Sequence, residues 1–255
     1  MASFIHTEQN GSVLTLRFNR PDKKNAILSS MYADGADALS KAADDKSVRV
    51  VVMTGSGDSF SAGNDLKDFL DNPPDTRDAP VFRFMDTLAT FPKPVVAAVN
   101  GLAIGIGTTL LLHCDLAYAV PKAKFQLPFV NIAIVPEYAS TLLLPRMLGH
   151  VKAAELLMLG EPFTAERAAS LGIINEVVPA DALVTTAMAK AGALAAKPPA
   201  ALRQAKALLR GNAPDIAKRI LEENEVVRER LVSAEFKEAA TAFFEKRAPD
   251  FSKFD

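Results

Sequence analysis

The period of the apolar positions changes several times along the chain. Residues 13–19 (VLTLRFN) alternate apolar and polar side chains, the two-residue period of a half-buried strand, and Arg20-Pro21-Asp22 breaks the run. Ser29 or Ser30 is placed to cap a helix reaching about Ala43, with Met31, Ala38 and Leu39 on one side. Residues 48–54 (VRVVVMT) are β-branched and nearly all apolar, as in a central strand covered on both faces. Residues 55–63 then read as a loop and 65–70 as a short helix. A polar, mobile segment follows over 72–80, opened by Asn72-Pro73-Pro74, and 81–89 resumes as helix. Residues 94–99 (PVVAAV) predict a third strand, with a glycine-containing turn over 100–107, a helix over 108–114 and short strands at 116–119 and 125–127. Pro136 stands where proline is favoured, at the start of a helix over 137–147. Helix is predicted again over 151–159. Thr164 is placed to cap a helix over 165–171 that Gly172 ends, and 174–178 reads as a strand. From Ala180 to about Glu245 the pattern is helical almost throughout, and the charged run over 220–231 reads mostly as a solvated face or a contact between subunits.

Strands alternating with helices, followed by helices alone, predict an α/β core over residues 1–198 and a helical region over 199–255. Composition narrows the function more than the fold. A chain of 255 residues, 49% apolar and 23% charged, has the make-up of a globular protein large enough for one sizeable core. A net charge of -1 offers no basic face for nucleic acid. The lone Cys114 can form no internal disulfide and reads as a buried structural thiol. His6, His113 and His150 have no zinc-ligand spacing, so no metal is expected. Residues 1–10 lack the apolar segment of a secretory signal, and the apolar run around Leu110–Leu112 is interrupted by His113 and Asp115. The closing Lys253-Phe254-Asp255 is not a peroxisomal address, so a cytoplasmic protein without membrane contact is expected.

Two glycine-rich turns are candidates for chemistry. Neither is a dinucleotide fingerprint, because Phe60 and Leu110 hold the third-glycine positions, and no P-loop or nucleophile elbow is present. In VRVVVMTGSGDSFSAGNDL and PVVAAVNGLAIGIGTTLL, an apolar strand runs into a small-residue loop that ends where a helix begins. Helix N-termini leave amide groups without internal partners, and these favour negative charge. Two such amides converging on one oxygen make an oxyanion hole, with Gly63 and Gly105 letting the backbone come close to a ligand. The alternative is that these glycines serve tight turns and nothing more.

The segments SFSAGNDLKDF, KPVVAAVNGLAIGIGTTLLLHCDLAYA and LGEPFTAERAASLGIINEVVP resemble the signature blocks of the crotonase (enoyl-CoA hydratase/isomerase) family. NRPDKKNAI is similar to its early block and AFFEKRAPDF to its C-terminal helix, so the resemblance covers nearly the whole chain in order. It implies an α/β, crotonase-like spiral of ββα units with a C-terminal helical trimerisation region, assembled as a homotrimer or dimer of trimers. It implies an acyl-CoA thioester as substrate, with coenzyme A part of that substrate and no separate cofactor. By position, the oxyanion donors are the amides of Asn64 and Ile106, with Ala62, Gly63, Asp65, Leu66, Gly105 and Phe129 around the substrate. Asp65 also stands where it can cap or orient its loop. Lys23 and Lys24 fall in the block that contacts adenine and phosphate, and Lys246 matches a basic residue reaching a neighbouring subunit's coenzyme A. Phe82, Phe84, Phe129 and Leu142 are candidates for the acyl pocket, although apolar residues are core by default.

The reaction turns on carboxylates. Family hydratases use two glutamates, and here the matching positions hold Thr109 and Phe129, neither of which can act as a base. NIAIVPEYASTLLLPRMLG instead resembles the block of the Δ3,Δ2-enoyl-CoA isomerases, in which a glutamate follows the proline. That residue is Glu137. The resemblance therefore implies an enoyl-CoA isomerase, with enoyl-CoA hydratase or a non-catalytic acyl-CoA-binding protein as alternatives. On local pattern alone Glu137 would complement the dipole of its helix in the first turn. Apolar burial would raise its pKa and a helix N-terminus would lower it.

Overall fold

A computed structural model describes residues 3–211 and 213–254. Its frame is two sheets laid down by a spiralling chain. Strands β1 (Ile5–Asn10) and β2 (Val13–Phe18) form an antiparallel hairpin, and helix α1 (Ser29–Asp44) follows. β3 (Val50–Gly55) pairs parallel with β2, and after a tight turn β4 (Ser59–Ser61) leaves for a second sheet. Helices α2 (Leu66–Asp71) and α3 (Pro80–Ala89) return the chain. The move then repeats: β5 (Val95–Val99) pairs with β3, and β6 (Leu102–Ile104) with β4. After the single turn of α4 (Ile106–Thr109), β7 (Leu116–Ala119) adds to β5 and β8 (Lys124–Gln126) to β6. From β3 onward each turn of the spiral thus gives its first strand to one sheet and its second to the other.

The remaining elements close the edges. Helices α5 (Ser140–Leu148) and α6 (His150–Ala154) lead to β9 (Phe163–Thr164), which pairs antiparallel with β8. Helix α7 (Ala165–Ser170) precedes β10 (Glu176–Val177), which adds parallel to β7. The six-stranded order is β1-β2-β3-β5-β7-β10 and the four-stranded order is β4-β6-β8-β9. Helix α8 (Leu183–Ala195) lies across β3, β5 and β7, and α9 (Pro199–Leu209), α10 (Ala213–Leu231) and α11 (Ala234–Glu245) complete the chain. Every residue of β3 and β5 is buried, as their β-branched, two-sided apolar composition requires.

Several expectations need correction. Residues 55–63 and 100–107 are not only loops: they contain β4 and β6, strands of three residues each, too short to display a period. β4 also disguises itself with serine, buried because Ser61 Oγ donates to Asn25 O and accepts from Gly63 N. β1 carries the polar sequence IHTEQN at the sheet edge and has no apolar alternation to announce it. Neither serine caps α1; Ser29 is its first residue, and its amide donates to the Asp68 carboxylate at 2.6 Å. The helix expected over 108–114 is one α-turn followed by a 3₁₀ turn (Leu110–His113), and 151–159 passes from α6 into a π-helical turn (Glu155–Leu159).

The correction that matters most concerns residues 137–139. Helix α5 begins at Ser140, so Pro136 and Glu137 lie before it. Tyr138 (φ 62°) and Ala139 (φ 56°) both take the left-handed conformation, which is incompatible with a continuing right-handed helix. Asp115 has a structural role, accepting from Val95 N and pairing with Lys206 Nζ at 2.7 Å. Cys114 is half-buried, and burial pushes its thiol up to about 12, so it is protonated at neutral pH.

Candidate active site

The site has an amide side and a carboxylate side. The amide side stands at the ends of β4 and β6. Gly63 has φ +87°, and a Cβ there would lie 2.8 Å from the carbonyl oxygen of Ile104, so the two loops approach as closely as backbone allows. The reverse contact is just as tight: a Cβ on Gly107 would fall 2.7 Å from Ser61 O. Around Asn64 the backbone is fixed by an isolated parallel bridge to Ile27, in which Ile27 N donates to Gly63 O and Asp65 N to Ile27 O. Gly105 (φ 54°, ψ −120°) precedes α4 and turns Ile106 into its first position. Among the described residues neither the Asn64 nor the Ile106 amide has an acceptor.

Most of the residues expected here are held close to this loop pair. Ala62 N donates to Lys24 O, which brings the Lys23–Lys24 turn beside the Ala62–Asn64 loop. Phe129 is buried, its ring edge facing Gly105. Asp65 uses its carboxylate structurally: it caps α2 through the amides of Lys67 and Asp68 and pairs with Arg20 at 2.6 Å. Leu66 is the first residue of α2. Phe84 packs on Tyr32, ring centroids 5.5 Å apart, and it and Phe82 are buried in α3, while Leu142 is partly exposed on α5. Lys246 is the exception. It stands exposed past the end of α11, in a left-handed conformation, and its side chain makes no hydrogen bond among the described residues.

The carboxylate side is built from the irregular turn after Pro136. Glu137 is only 4% exposed, and its Oε1 accepts from the Thr109 hydroxyl at 2.9 Å. Oε2 has no hydrogen-bond partner among the described residues. Burial pushes the Glu137 carboxyl up to about 8; the Thr109 hydrogen bond opposes this, and the charge of Glu223 adds to it. Thr109 therefore holds the Glu137 carboxyl, a contact that its sequence position hid. It lies in the same single helical turn as Ile106, so α4 ties the amide to the group that holds the carboxylate. The spacing of 28 residues between Thr109 and Glu137 gives no local signal of this contact.

The turn itself is clamped. The Tyr138 ring stacks on His113 with centroids 3.8 Å apart, and its hydroxyl donates to Met85 O at 2.9 Å. Burial drives the His113 imidazole down to about 3, so it is neutral, and its Nε2–H donates to Tyr138 O at 2.8 Å. From α10, Glu223 accepts hydrogen bonds from the amides of Ala139 and Thr141 and from the Thr141 hydroxyl. Sequence reading assigned this stretch to a solvated face, yet Ile220, Glu223, Asn224, Val227 and Leu231 are all buried. Their spacing follows the helical stripe that faces a core, and this was the available signal. Tyr32 was missed as well: fully buried, it donates its hydroxyl to the Asn64 side chain. Tyr32 also lines a cavity of about 450 Å³ with Asp68, Phe69 and the segment around Pro73 and Asp75.

A ββα spiral whose successive loops meet at paired glycines, with a buried glutamate beside them, is the crotonase fold. A family model described as enoyl-CoA hydratase/isomerase matches residues 8–253, and the chain belongs to that family. It is 38% identical over 250 residues to enoyl-CoA delta isomerase 2 of Rattus norvegicus, covering 95% of this chain and 64% of that protein. It thus spans less than two thirds of the rat protein's length. The 1,2-epoxyphenylacetyl-CoA isomerase of Escherichia coli K12 is 36% identical over 262 residues, covering 99% of both chains. Among solved structures, an enoyl-CoA hydratase/isomerase from Pseudoalteromonas atlantica T6c superposes with a TM-score of 0.93 at 41% identity, covering 98% of this chain and 100% of that one. No helix among the described residues is long and apolar enough to cross a membrane.

Proposed function

We propose that the protein shifts the double bond of a 3-enoyl-CoA to the 2-position, with Glu137 moving the proton. The observation that carries this reading is the Thr109–Glu137 contact. At the position where a hydratase would hold a first glutamate, this chain holds a threonine that orients a different one. At the second hydratase position it holds the buried Phe129, so no carboxylate pair is left to bind and deprotonate a water.

In the proposed reaction the Glu137 carboxylate takes a proton from C2 of the substrate at Oε2. The C2–H electron pair moves toward the thioester carbonyl, and a dienolate forms with its charge on the thioester oxygen. That oxygen is received by the amides of Asn64 and Ile106; one well-placed donor of this kind is worth roughly 2.7–4 kcal/mol of transition-state stabilisation. Glu137 then returns the proton to C4. The double bond comes to rest between C2 and C3, the carbonyl is restored, and no atom is gained or lost. A pKa near 8 suits a group that must both take and give a proton near neutrality.

Lys23 and Lys24 are the proposed contacts for the nucleotide end of the substrate, on the strength of their place beside Ala62. For Lys246, service to a neighbouring subunit's substrate fits its exposure away from the loop pair. Exposed Val151, Met158, Phe243 and Phe244 supply apolar surface for the trimer that this requires.

The deciding experiment gives wild type and Glu137→Gln 3-hexenoyl-CoA and, separately, crotonyl-CoA, following absorbance. Conjugation of 3-hexenoyl-CoA by wild type and its loss in the variant are expected. Rapid loss of the crotonyl chromophore, with no isomerisation, would overturn the proposal in favour of hydration.

A further inference from the structure

The turn after Glu137 is gripped by a residue from the far end of the chain. The Glu137 backbone belongs to no helix or strand, and the two residues after it are left-handed although neither is glycine. Such a turn keeps its shape only if its surroundings over-determine it. On one side the surroundings are His113 and Met85, which grip Tyr138. On the other side is Glu223. Ala139 is the N-cap of α5 and offers no side chain for capping; Ser140 N donates to Glu137 O at 3.1 Å, but Ala139 N and Thr141 N have no local acceptor. The Glu223 carboxylate supplies it from α10: Oε2 takes Ala139 N at 2.5 Å, and Oε1 takes Thr141 N at 3.1 Å together with the Thr141 hydroxyl. Arg219, one turn earlier on α10, donates to Thr141 Oγ1 at 3.0 Å.

Helix α10 reaches the neighbouring segments too. Arg230 donates to Ala133 O at 3.1 Å, ahead of Pro136, and Arg228 to Asp75 O at 3.3 Å, beside the cavity that Tyr32 lines. Glu225 pairs with Arg77 at 2.8 Å in the same segment. Helix α10 therefore reaches the turn bearing Glu137 from the face of Arg219, Glu223 and Arg230, and the segment walling the cavity from the face of Glu225 and Arg228.

We propose that Glu223 is a positioning residue for Glu137: by capping α5 across the chain it sets the turn Tyr138–Ala139 and thereby aims the Glu137 carboxylate at Thr109. This rests on the reading of Glu137 as the proton carrier, and it adds that the C-terminal helices complete the site rather than merely follow it. A carboxylate is needed because three donors converge on its two oxygens. Glutamine has the same shape but turns an amide NH₂ toward one of those donors.

The test uses the full chain with Glu223→Gln, Glu223→Ala and Thr141→Val, assayed on 3-hexenoyl-CoA, with a crystal structure of Glu223→Gln. Loss of aim costs turnover rather than binding. For Glu223→Ala, kcat is expected to fall on the order of 100-fold with KM changed by less than about threefold. Glu223→Gln should recover part of that loss, and Thr141→Val, which keeps the carboxylate and both amides, should recover most of it. In the Glu223→Gln crystal the Thr109–Glu137 contact of 2.9 Å should open. Unchanged kcat in Glu223→Gln with that contact intact overturns the proposal, and this variant decides the matter if Glu223→Ala does not fold. A fall in kcat matched by an equal rise in KM would also overturn it, because that marks general damage to the pocket. The two readings fail separately. If Glu137→Gln still isomerises, Glu137 is not the proton carrier, while the Glu223→Gln crystal still decides whether Glu223 positions it.

Discussion

The two sides of the site are made from different materials. The amide side is backbone at the ends of short strands, locked by ladder hydrogen bonds and by glycines that leave no room for a Cβ. The carboxylate side is a side chain on an irregular turn, held by contacts from Thr109, His113 and Glu223, which lie far from it in sequence. The difference teaches where each side is fragile. Backbone donors tolerate changes of their own side chains but not of their neighbours' conformation. In the proposed reaction the carboxylate tolerates none at its own position and depends on each group that holds its turn.

The sharpest break of this contrast is Glu137→Gln, which should cost roughly 10²–10⁴-fold in kcat, the usual worth of a general acid–base. The same variant has a second signature. The folded carboxyl is raised by burial to about 8 from an ordinary 4.5, so between those pH values the folded state keeps a proton that the unfolded state has lost. Wild-type stability therefore falls as pH rises through that window and is flat above it, as far as this group decides. Glutamine does not titrate. Melting curves of the two proteins should lie close at pH 4 and separate in favour of Glu137→Gln by pH 9. Equal melting at pH 9 would mean that the carboxyl is not buried as described.

On the amide side the comparable break is Gly63→Ala. The added Cβ would meet Ile104 O at 2.8 Å, and the residue would have to hold φ +87°. We expect a loss in kcat/KM of about 100-fold from displaced donors and a destabilisation of about 1–3 kcal/mol, read by assay and by denaturant titration. Activity close to wild type would show that the two loops need not touch for turnover.

Thr109→Val sharpens the link between the sides with a smaller effect. It removes the hydrogen bond that lowers the Glu137 pKa and leaves burial unopposed. In the proposed reaction the carboxylate is the reactive form, so kcat/KM should rise with pH through a midpoint near 8 in wild type and through a higher one in the variant, with the plateau above each. Near neutrality the loss should be about tenfold and should shrink as pH rises. A pH-independent loss would mean that Thr109 acts by shape alone.

Legibility in the sequence follows the same division. Asn64 and Ile106 are assigned as donors only through resemblance, but β3, β5 and the loops after them, with Gly63 and Gly105, were found from continuous apolar runs that end in small residues. β4 and β6 were not, because three residues leave no period and the serines of β4 look like loop. Glu137 was reached only through resemblance. Its local pattern, proline then glutamate before an apolar run, describes a helix start, and only the left-handed Tyr138 and Ala139 move it outside the helix. Nothing in residues 136–141 announces those two conformations, since their causes lie at His113 and Glu223. Glu223 was legible in principle, on the apolar stripe of α10, but a charged residue among charged neighbours reads as solvated until its spacing is weighed.

The smallest expected effect tests the contrast most directly. If Asn64 contributes its amide rather than its side chain, Asn64→Ala should change kcat/KM by no more than about threefold. It should still cost stability, because the buried Tyr32 hydroxyl donates to the Asn64 side chain and would lose its acceptor. An unpartnered buried donor costs about 1–3 kcal/mol, whereas removing both partners can be nearly neutral. Tyr32→Phe added to Asn64→Ala should therefore restore most of the lost stability while leaving activity where the single variant put it. A large loss of activity in Asn64→Ala that the double variant does not relieve would place the Asn64 side chain in the chemistry. The amide side would then be as dependent on side chains as the carboxylate side.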